Sequence, residues 1–337
     1  MARIKTLRIR QFKSILDMEI PCRRVNLFIG EPNVGKSNIL EALALCSWSA
    51  RPGIPLKDFI RFQSVGNLFY DGLSDTPISV KVDFEKAPAD DWIEIILYCY
   101  SDGLSTRATF ASNQQADYLE FIALNQDGGG NPIRAVEGMK DILFYRFAKP
   151  TEPGDAEIGS LLPPYGSNLF SVVYGAKQLR EKMAALFSPY PYKMVMKPQE
   201  RKFEIQKRAG DVVTALPLSM ASDTLLRVMF YEAAMTSNRD AVLVFEEPEA
   251  HAFPYFTKQM GERLALADSN QYFIATHNPY LLTAVLEKAQ KNDVNVFVVY
   301  QKDFETRLLK LSEEGISEML SGDPFFMCGR FLEGAAS

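Results

Sequence analysis

The sequence predicts an α/β protein that combines an antiparallel β lobe with an α/β lobe built on a parallel sheet. Between about residues 66 and 125, apolar and polar residues alternate in short runs, which is typical of half-buried antiparallel strands. In the second half of the chain, short apolar runs alternate with segments of helical periodicity, as expected for parallel strands covered by helices. A glycine-bearing octapeptide at 30–37 lies between an apolar run and a helical pattern, which predicts a strand–loop–helix unit.

The elements of the first half follow from alternating burial. Residues 3–29 predict a hairpin and a continuing strand that ends in the apolar run Val25–Ile29. The expected strands of the antiparallel meander, separated by turns that carry Gly or Asp, lie at 78–84, 93–100, 106–110 and 118–124. A further strand is predicted at 142–147.

The second half begins with a Pro-, Gly- and acid-rich segment at 148–166, which predicts a connection between lobes. Leu169–Phe187 predicts one helix because its apolar residues fall on a single stripe. Lys193–Arg208 alternates basic and apolar residues and predicts a two-stranded ribbon. Beyond it, the patterns predict helices at 222–236, 254–267 and 278–289, and buried strands at 241–245, 271–275 and 294–300.

The composition is that of an ordinary globular chain. The 337 residues are 47% hydrophobic, and their formal net charge of −5 argues against a broadly basic surface but leaves room for a local nucleic-acid groove. The cysteines, which form no C-x-x-C pair, are Cys22, Cys46, Cys99 and Cys328. They indicate free thiols in a reducing compartment. No apolar run is long enough to span a bilayer and no signal-peptide pattern opens the chain, so we expect a cytoplasmic protein without a membrane partner.

The octapeptide is a complete G-x-x-x-x-G-K-[ST] phosphate loop: Gly30, Glu31, Pro32, Asn33, Val34, Gly35, Lys36 and Ser37. In such a loop, the backbone N–H groups and the dipole of the following helix attract phosphate. We expect Lys36 to reach the β- and γ-phosphates and the Ser37 hydroxyl to bind Mg²⁺, with Asn38 completing the nucleotide-contacting set. The sequence therefore predicts a nucleotide site.

An acidic turn follows the predicted strand Ala241–Phe245. It begins with Glu246 and Glu247, and carboxylates at the end of a parallel strand lie where open α/β sheets bind ligands. One of these acids can hold Mg²⁺ while the next orients and deprotonates an attacking water. A solvated acidic turn is the alternative, and the presence of a phosphate loop in the same chain argues against it.

The chain has only two histidines, His251 and His277. His277 follows the buried strand predicted at 271–275, where it can hydrogen-bond a γ-phosphate or the catalytic acid. A histidine at a strand end is often structural. Because it comes thirty residues after the acidic turn, the functional interpretation is favoured.

These motifs, in this order, resemble those of ABC-type ATPase heads of the RecF/SMC class, and most closely those of AAA-type ATPases grouped with the overcoming-lysogenization-defect (OLD) family. The resemblance covers nearly the whole chain and rests on Leu7–Ser14, Gly30–Leu43, Pro164–Leu169, Glu246–His251 with Pro254, and Thr276–Pro279. It implies a P-loop NTPase fold and a single ATPase head over 1–337. The N-terminal lobe is expected at 1–150, a helical and hairpin insertion at 151–210, and the C-terminal lobe at 211–337.

The same resemblance implies roles for the motif residues. ATP and Mg²⁺ are the implied ligands, with Lys36 and Ser37 serving the phosphates and the metal. Glu246 serves Mg²⁺, Glu247 is the general base, and His277 is the switch histidine.

Heads of this kind sandwich ATP in a homodimer, each offering a signature serine and glycine to the γ-phosphate bound by the other. Ser222 matches the serine, at a predicted helix N-terminus. Thr224 stands where relatives have glycine, which predicts slow hydrolysis or a dimer that needs another component. The metal-sensing glutamine of the class has no clear match, and Gln114 and Gln115 are more simply read as a solvated turn.

Within this sequence we expect neither the long coiled coil of SMC proteins nor the Toprim nuclease domain of OLD enzymes. We therefore expect an ATP switch in DNA repair or phage defence that gates DNA or a separate effector, such as a nuclease. The expected DNA surface, for which a solvated hairpin is an equal alternative, consists of Lys193, Lys197, Arg201, Lys202, Lys207 and Arg208. Two alternatives stay open: a transport ATPase subunit, and a nucleotide-binding scaffold without turnover.

Overall fold

A computed structural model describes residues 3–72, 75–85, 91–99, 105–113, 115–125, 127–130, 132, 134–150, 152–322 and 328–332. The chain forms two compact units, each assembled from separate stretches of sequence. The first unit comprises Met1–Phe144, Asp240–Glu247 and Gly261–Ser337, and the second comprises Tyr145–Arg239 and Pro248–Met260. The division into lobes at 1–150, 151–210 and 211–337 stays a prediction, because each compact unit of the structure is assembled from discontinuous stretches of the chain.

The antiparallel sheet of the first unit confirms the predicted meander and includes the opening hairpin. Its strands are β1 (Arg3–Phe12), β2 (Ile15–Pro21), β4 (Ile78–Glu85), β5 (Asp91–Cys99), β6 (Ser105–Ser112) and β7 (Gln115–Asn125), with β3 (Val25–Ile29) belonging to the second sheet. The strand order is β2-β1-β4-β5-β6-β7. Alternate residues of β1, such as Leu7 and Ile9, are buried, as the period of two predicts.

The second sheet confirms the predicted parallel arrangement. Besides β3 it contains β8 (Ile142–Tyr145), β12 (Val242–Glu246), β13 (Gln271–Ala275), β14 (Val294–Lys302) and β15 (Glu305–Lys310). The order is β15-β14-β3-β13-β12-β8, and β3 pairs in parallel with both β13 and β14. Every residue of β3 is buried, as expected for a central parallel strand. The hairpin from β14 to the antiparallel edge strand β15 was not predicted.

The helices of the first unit are α1 (Lys36–Ser49), α2 (Leu56–Phe59), α7 (Pro279–Lys288) and α8 (Glu313–Leu320). Helix α6 (Pro254–Leu266) begins in the residues of the second unit and ends in those of the first. Helix α1 contacts β1 and β4 of one sheet and β12 and β13 of the other. The helix that follows the phosphate loop is therefore embedded between two sheets, which fixes the loop relative to the ends of the parallel strands.

The second unit contains α3 (Leu169–Gly175), α4 (Lys177–Phe187), α5 (Asp223–Ser237) and a three-stranded antiparallel sheet. The strands of that sheet are β9 (Tyr192–Lys197), β10 (Lys202–Ala209) and β11 (Val212–Pro217), in the order β11-β10-β9. The single helix predicted over Leu169–Phe187 is wrong, because Ala176 adopts an extended conformation after Gly175 and separates α3 from α4. The predicted ribbon has a third strand. Within the described stretches, no helix has the length and apolar character needed to cross a membrane.

Candidate functional site

The phosphate loop connects the end of β3 to the start of α1. Gly30 and Gly35 have φ values of 143° and 96°, which residues with side chains rarely adopt. A Cβ on Gly30 would lie 2.2 Å from the carbonyl oxygen of Val299, and one on Gly35 would lie 2.0 Å from the Thr306 hydroxyl. Both glycines are therefore required by backbone conformation and by close packing against the β14–β15 hairpin.

Lys36 begins α1, and its side chain turns back over the loop. Its Nζ donates to the carbonyl oxygens of Gly30 (2.9 Å) and Glu31 (2.6 Å), and the residue is only 5% exposed. Burial lowers the pKa of the Lys36 ammonium to about 8, with the nearby Glu247 carboxylate acting in the opposite direction. Neutral carbonyls position this cation without neutralising it, so its charge is available to an anionic ligand.

We expect the affinity for ATP to decrease as the pH rises through about 8, because Lys36 loses its proton near that pH in the free protein. Only the ammonium form attracts phosphate, so affinity should fall by up to about tenfold per pH unit above the pKa. Isothermal titration calorimetry between about pH 7 and pH 9 measures this change. The Lys36→Ala variant, as the control, should bind weakly without the same pH dependence. A flat profile for the unmodified protein would contradict this role of Lys36.

The acidic turn begins where β12 ends. Glu246 is in register with Ala275 of the neighbouring strand β13. Glu247 has a φ of 44°, a left-handed conformation that is uncommon and energetically costly for a residue with a side chain. Its N–H donates to the carbonyl oxygen of Ala275 (2.9 Å). This bond to the adjacent strand holds the strained turn that presents the two carboxylates.

His277 lies directly after β13, with its Nε2 3.2 Å from Oε1 of Glu247. The preceding residue is fixed because Thr276 donates its N–H to the carbonyl oxygen of Phe28 (3.1 Å). The following residue, Asn278, caps α7 through its side chain. Burial and the positive charge of Lys36 lower the pKa of His277, against the opposing effect of Glu247. At neutral pH the imidazole is therefore mainly uncharged and can share a proton with Glu247 or a ligand.

Arg61 is a site residue that no sequence motif marked. It follows α2, and its Nη2 lies 2.8 Å from Oε1 of Glu246 while its Nε lies 2.7 Å from Oε1 of Glu41. Glu41 is buried on α1 and also pairs with Lys13. The buried carboxylate thus anchors Arg61, which in turn positions Glu246.

A polar cavity of about 410 Å³ in the first unit brings many of the predicted site residues together. Its lining consists of Pro32, Asn33, Gly35, Lys36, Ser37, Asn38, Arg61, Glu247 and His277. Gly30, Glu31 and Val34 contribute instead to a second cavity, on another side of the loop. Ser37 lines this cavity, whereas Glu246 does not and instead pairs with Arg61, which does. A hydroxyl and a carboxylate are oxygen donors of the kind that suits Mg²⁺.

A chain of hydrogen bonds supports the loop from the β14–β15 hairpin. The Oγ1 of Thr306 donates to the carbonyl oxygen of Val34 (3.0 Å) and lies 2.6 Å from the Oγ of Ser14. The Nδ2 of Asn38 donates to the same Ser14 oxygen (2.7 Å). Since Thr306 is 2% exposed, its hydroxyl is a buried connection between the hairpin and the phosphate loop.

We expect Thr306→Val to weaken ATP binding by about fivefold to tenfold, because a buried hydrogen bond contributes about 1 kcal/mol and its loss leaves the Val34 carbonyl without this donor. Thr306→Ser keeps the hydroxyl and serves as the matched control. The measurement is the dissociation constant by calorimetry, with the thermal unfolding midpoint recorded in parallel. Equal affinities of the valine and serine variants would show that the hydroxyl does not position the loop.

The signature-like segment lies in the second unit. Ser222 caps α5, its side chain accepting a hydrogen bond from the N–H of Leu225 (3.4 Å). Thr224, at the position where glycine was expected, donates its Oγ1 to the carbonyl oxygen of His251 (2.7 Å). The Thr224 side chain therefore has a structural partner in the turn that follows the acidic motif. Gln114 lies outside the described residues, and Gln115 begins β7.

The positive charge of the ribbon predicted over Lys193–Arg208 is partly neutralised by nearby carboxylates. In the β9–β10 register, Lys202 lies beside Lys197. Lys197 pairs with Glu204 at 2.6 Å, and Lys202 pairs with Glu200. Strand alternation places Lys207 on the face opposite to Lys193, Lys197, Lys202 and Arg208, while Arg201 lies in the connecting turn. The six predicted basic residues therefore do not form one continuous surface.

No protein-family model matches the sequence, and no curated protein matches it. Solved structures of SMC head domains do match. An SmcHead bound to the C-winged helix domain of ScpA gives a TM-score of 0.61 at 16% identity, covering 94% of this chain and 99% of that chain. A Pyrococcus furiosus Smc head with an extended coiled coil, bound to the C-terminal domain of ScpA, gives 0.60 at 14% identity, covering 95% and 99%. A Pyrococcus yayanosii Smc head with a coiled coil and joint gives 0.58 at 11% identity, again covering 95% and 99%.

At these identities the likeness concerns the fold. The chain has the α/β fold of SMC head domains, with the antiparallel and parallel sheets that the sequence predicted. The likeness extends over nearly the full length of each head domain.

Proposed function

We propose that this chain is an Mg²⁺-dependent ATPase of the ABC type, related to the stand-alone OLD-family ATPases, that acts as a dimerising switch in DNA repair or phage defence. The observation that carries the proposal is the cavity lined by Lys36, Ser37, Glu247 and His277. It combines a phosphate-binding loop, a general base and a histidine within hydrogen-bonding distance of that base. The SMC-head fold supports the same reaction class.

Lys36 supports triphosphate binding by exchanging partners. Its ammonium, which donates to the Gly30 and Glu31 carbonyls in the free protein, would donate to β- and γ-phosphate oxygens instead. The Ser37 hydroxyl and the Glu246 carboxylate would hold Mg²⁺, which neutralises charge on the phosphates when bound. Until then, the ion pair with Arg61 keeps the Glu246 carboxylate in place.

Glu247 is the proposed general base for the hydrolytic step. Its carboxylate accepts a proton from water as the water oxygen attacks the γ-phosphorus, and the bond to the β–γ bridging oxygen breaks to release ADP. His277, 3.2 Å from Oε1 of Glu247, orients this carboxylate and can also donate to the γ-phosphate. The backbone strain at Glu247 is consistent with a residue held for chemistry.

In the proposed dimer, Ser222 of one copy completes the nucleotide site of the other copy. The N-terminus of the fifteen-residue helix α5, which Ser222 caps, suits the γ-phosphate bound by a second copy. Thr224 is bonded to the His251 carbonyl and cannot offer the bare backbone of a glycine. We therefore expect turnover by the isolated chain to be slow.

A separate effector protein fits the charge distribution better than extended contact with DNA. Glu200 and Glu204 neutralise Lys197 and Lys202 within the three-stranded sheet. Arg201 and Lys193 remain candidates for limited phosphate contact. We therefore propose an effector protein as the main partner, with contact to DNA limited to Arg201 and Lys193.

The test is phosphate release from ATP by the purified chain, with and without EDTA, and with duplex DNA added. Mg²⁺-dependent release supports the ATPase. Tight ATP binding without release would instead favour the scaffold. A DNA-stimulated rate that falls in a Lys193→Glu, Arg201→Glu variant would support DNA as a ligand, and an unchanged rate would remove that surface.

A further inference from the structure

Strand β11 is an exposed edge of the three-stranded sheet in the second unit. It hydrogen-bonds to β10 on one side and lies at the end of the strand order. All six of its residues are exposed, including Val212 at 65%, Val213 at 56% and Leu216 at 39%. An edge of this kind offers unpaired N–H and C=O groups to another strand.

The two edges of the sheet differ in how they are protected. Strand β9, at the opposite edge, carries Lys193 and Lys197, and charged side chains discourage strand addition. Strand β11 contains no charged residue. Its proline, Pro217, is the last residue and therefore protects only one end. Among the described strands, this apolar edge therefore lacks the usual protection against strand addition.

The sequence of β11 is complementary to itself. A two-fold axis perpendicular to a sheet pairs two copies of an edge strand antiparallel, with residues of the same face opposite each other. If the axis passes through Thr214, Val212 faces Leu216 of the second copy, and Val213 faces Ala215 of the second copy. Every cross-strand pair is then apolar or Thr–Thr, and no like charges meet.

Pro217 selects this register. Centring the axis one residue later, on Ala215, would place Pro217 opposite Val213 of the second copy, inside the ladder. Proline has no N–H to donate there. The Thr214-centred register uses residues 212–216 and leaves the proline outside.

An apolar cavity of about 210 Å³ lies beside the same edge. Its lining includes Tyr192, Ile205, Leu216 and Met220, the last being 69% exposed. Ile205 pairs with Leu216 across β10 and β11, so both lie on the face that borders the cavity. In the Thr214-centred register, Val212 of the second copy lies opposite Leu216 and would cover apolar surface at the cavity rim.

We propose that β11 is a homotypic docking edge, through which two copies of this chain pair antiparallel over Val212–Leu216 and form one continuous six-stranded sheet. None of these residues lines the nucleotide cavity, so the contact forms without nucleotide. It pairs residues other than Ser222, which lines the adjacent apolar cavity, and it does not depend on the proposed ATPase activity.

The test is the molar mass of the full chain without nucleotide, measured by size exclusion with light scattering. The unmodified protein should be dimeric. Thr214→Lys and Thr214→Glu should each weaken the dimer by about tenfold or more, because like charges then face each other across the axis. An equimolar mixture of the two variants should restore the dimer, since opposite charges then meet.

Thr214 is exposed, so both variants should fold, which circular dichroism checks. Lys193→Glu, at the opposite edge of the sheet, is the control and should remain dimeric. A monomeric unmodified protein, dimers that persist in both single variants, or a mixture that stays monomeric would each overturn the proposal. A monomer that pairs through β11 with a different protein would equally exclude the homotypic contact.

Discussion

Glu247→Gln should abolish steady-state ATP turnover while leaving ATP bound, so that the variant accumulates as an ATP-loaded dimer. The amide cannot accept the proton from the attacking water, and loss of a general base lowers the rate by about 10²- to 10⁴-fold. Lys36 and the phosphate loop are unchanged, so binding should persist. Phosphate release measures turnover. Because the proposed β11 contact forms without nucleotide, the ATP-dependent dimer is measured by size exclusion at saturating Mg-ATP in the Thr214→Lys background.

Glu246→Gln provides the matched comparison because it changes the adjacent carboxylate. We expect that variant to require more Mg²⁺, since one proposed metal ligand is weakened. If Glu247→Gln hydrolysed ATP at a rate close to that of the unmodified protein, Glu247 would not be the base. If Glu247→Gln in the Thr214→Lys background released no phosphate but stayed monomeric with ATP bound, the sandwich dimer would be wrong for the isolated chain.

Lys36→Ala should lose ATP binding. The ammonium is buried over the loop and would exchange two carbonyl partners for phosphate oxygens. A hydrogen bond to a charged group contributes about 1.5–3 kcal/mol. A net loss equivalent to one such bond, about 2.7 kcal/mol, weakens the affinity by about 100-fold. Isothermal titration calorimetry with a non-hydrolysable ATP analogue and Mg²⁺ measures it.

Lys177→Ala is the control for removing a lysine, because Lys177 is exposed on α4 and far from the loop in sequence. Its affinity should equal that of the unmodified protein. An affinity for Lys36→Ala within about twofold of the unmodified protein, a difference below about 0.5 kcal/mol, would contradict phosphate binding by this lysine. Together, the Lys36 and Glu247 variants separate binding from hydrolysis.

The regular core could be predicted from the sequence because its signals are local. Tyr272–Ala275 is a continuous apolar run that follows Gln271, and the predicted strand at 271–275 matches β13 at both ends. The edge strand Glu305–Lys310 was missed because charged residues interrupt its apolar pattern and its position depends on pairing with β14. The break at Ala176 was missed because the apolar stripe continues across it from α3 into α4.

The site residues likewise fall into those that belong to a local sequence motif and those that do not. Lys36 and Glu247 belong to local motifs, so the sequence identified them as candidates. Arg61 and Thr306 have no such signal, because their positions depend on tertiary contacts with Glu246 and with the Val34 carbonyl. The Thr306–Val34 contact joins residues 272 positions apart. Single-sequence patterns report periodicity and local motifs, and they do not report pairings at that separation.

The most direct measurement is a crystal structure of the Glu247→Gln variant with ATP and Mg²⁺. The proposed function predicts that the β- and γ-phosphates lie within the 30–37 loop against the Lys36 ammonium, with the metal bound to the Ser37 hydroxyl and directed at the Glu246 carboxylate. Phosphates bound elsewhere, or a metal remote from Glu246, would contradict the central claim that the loop and the acidic turn form one catalytic site.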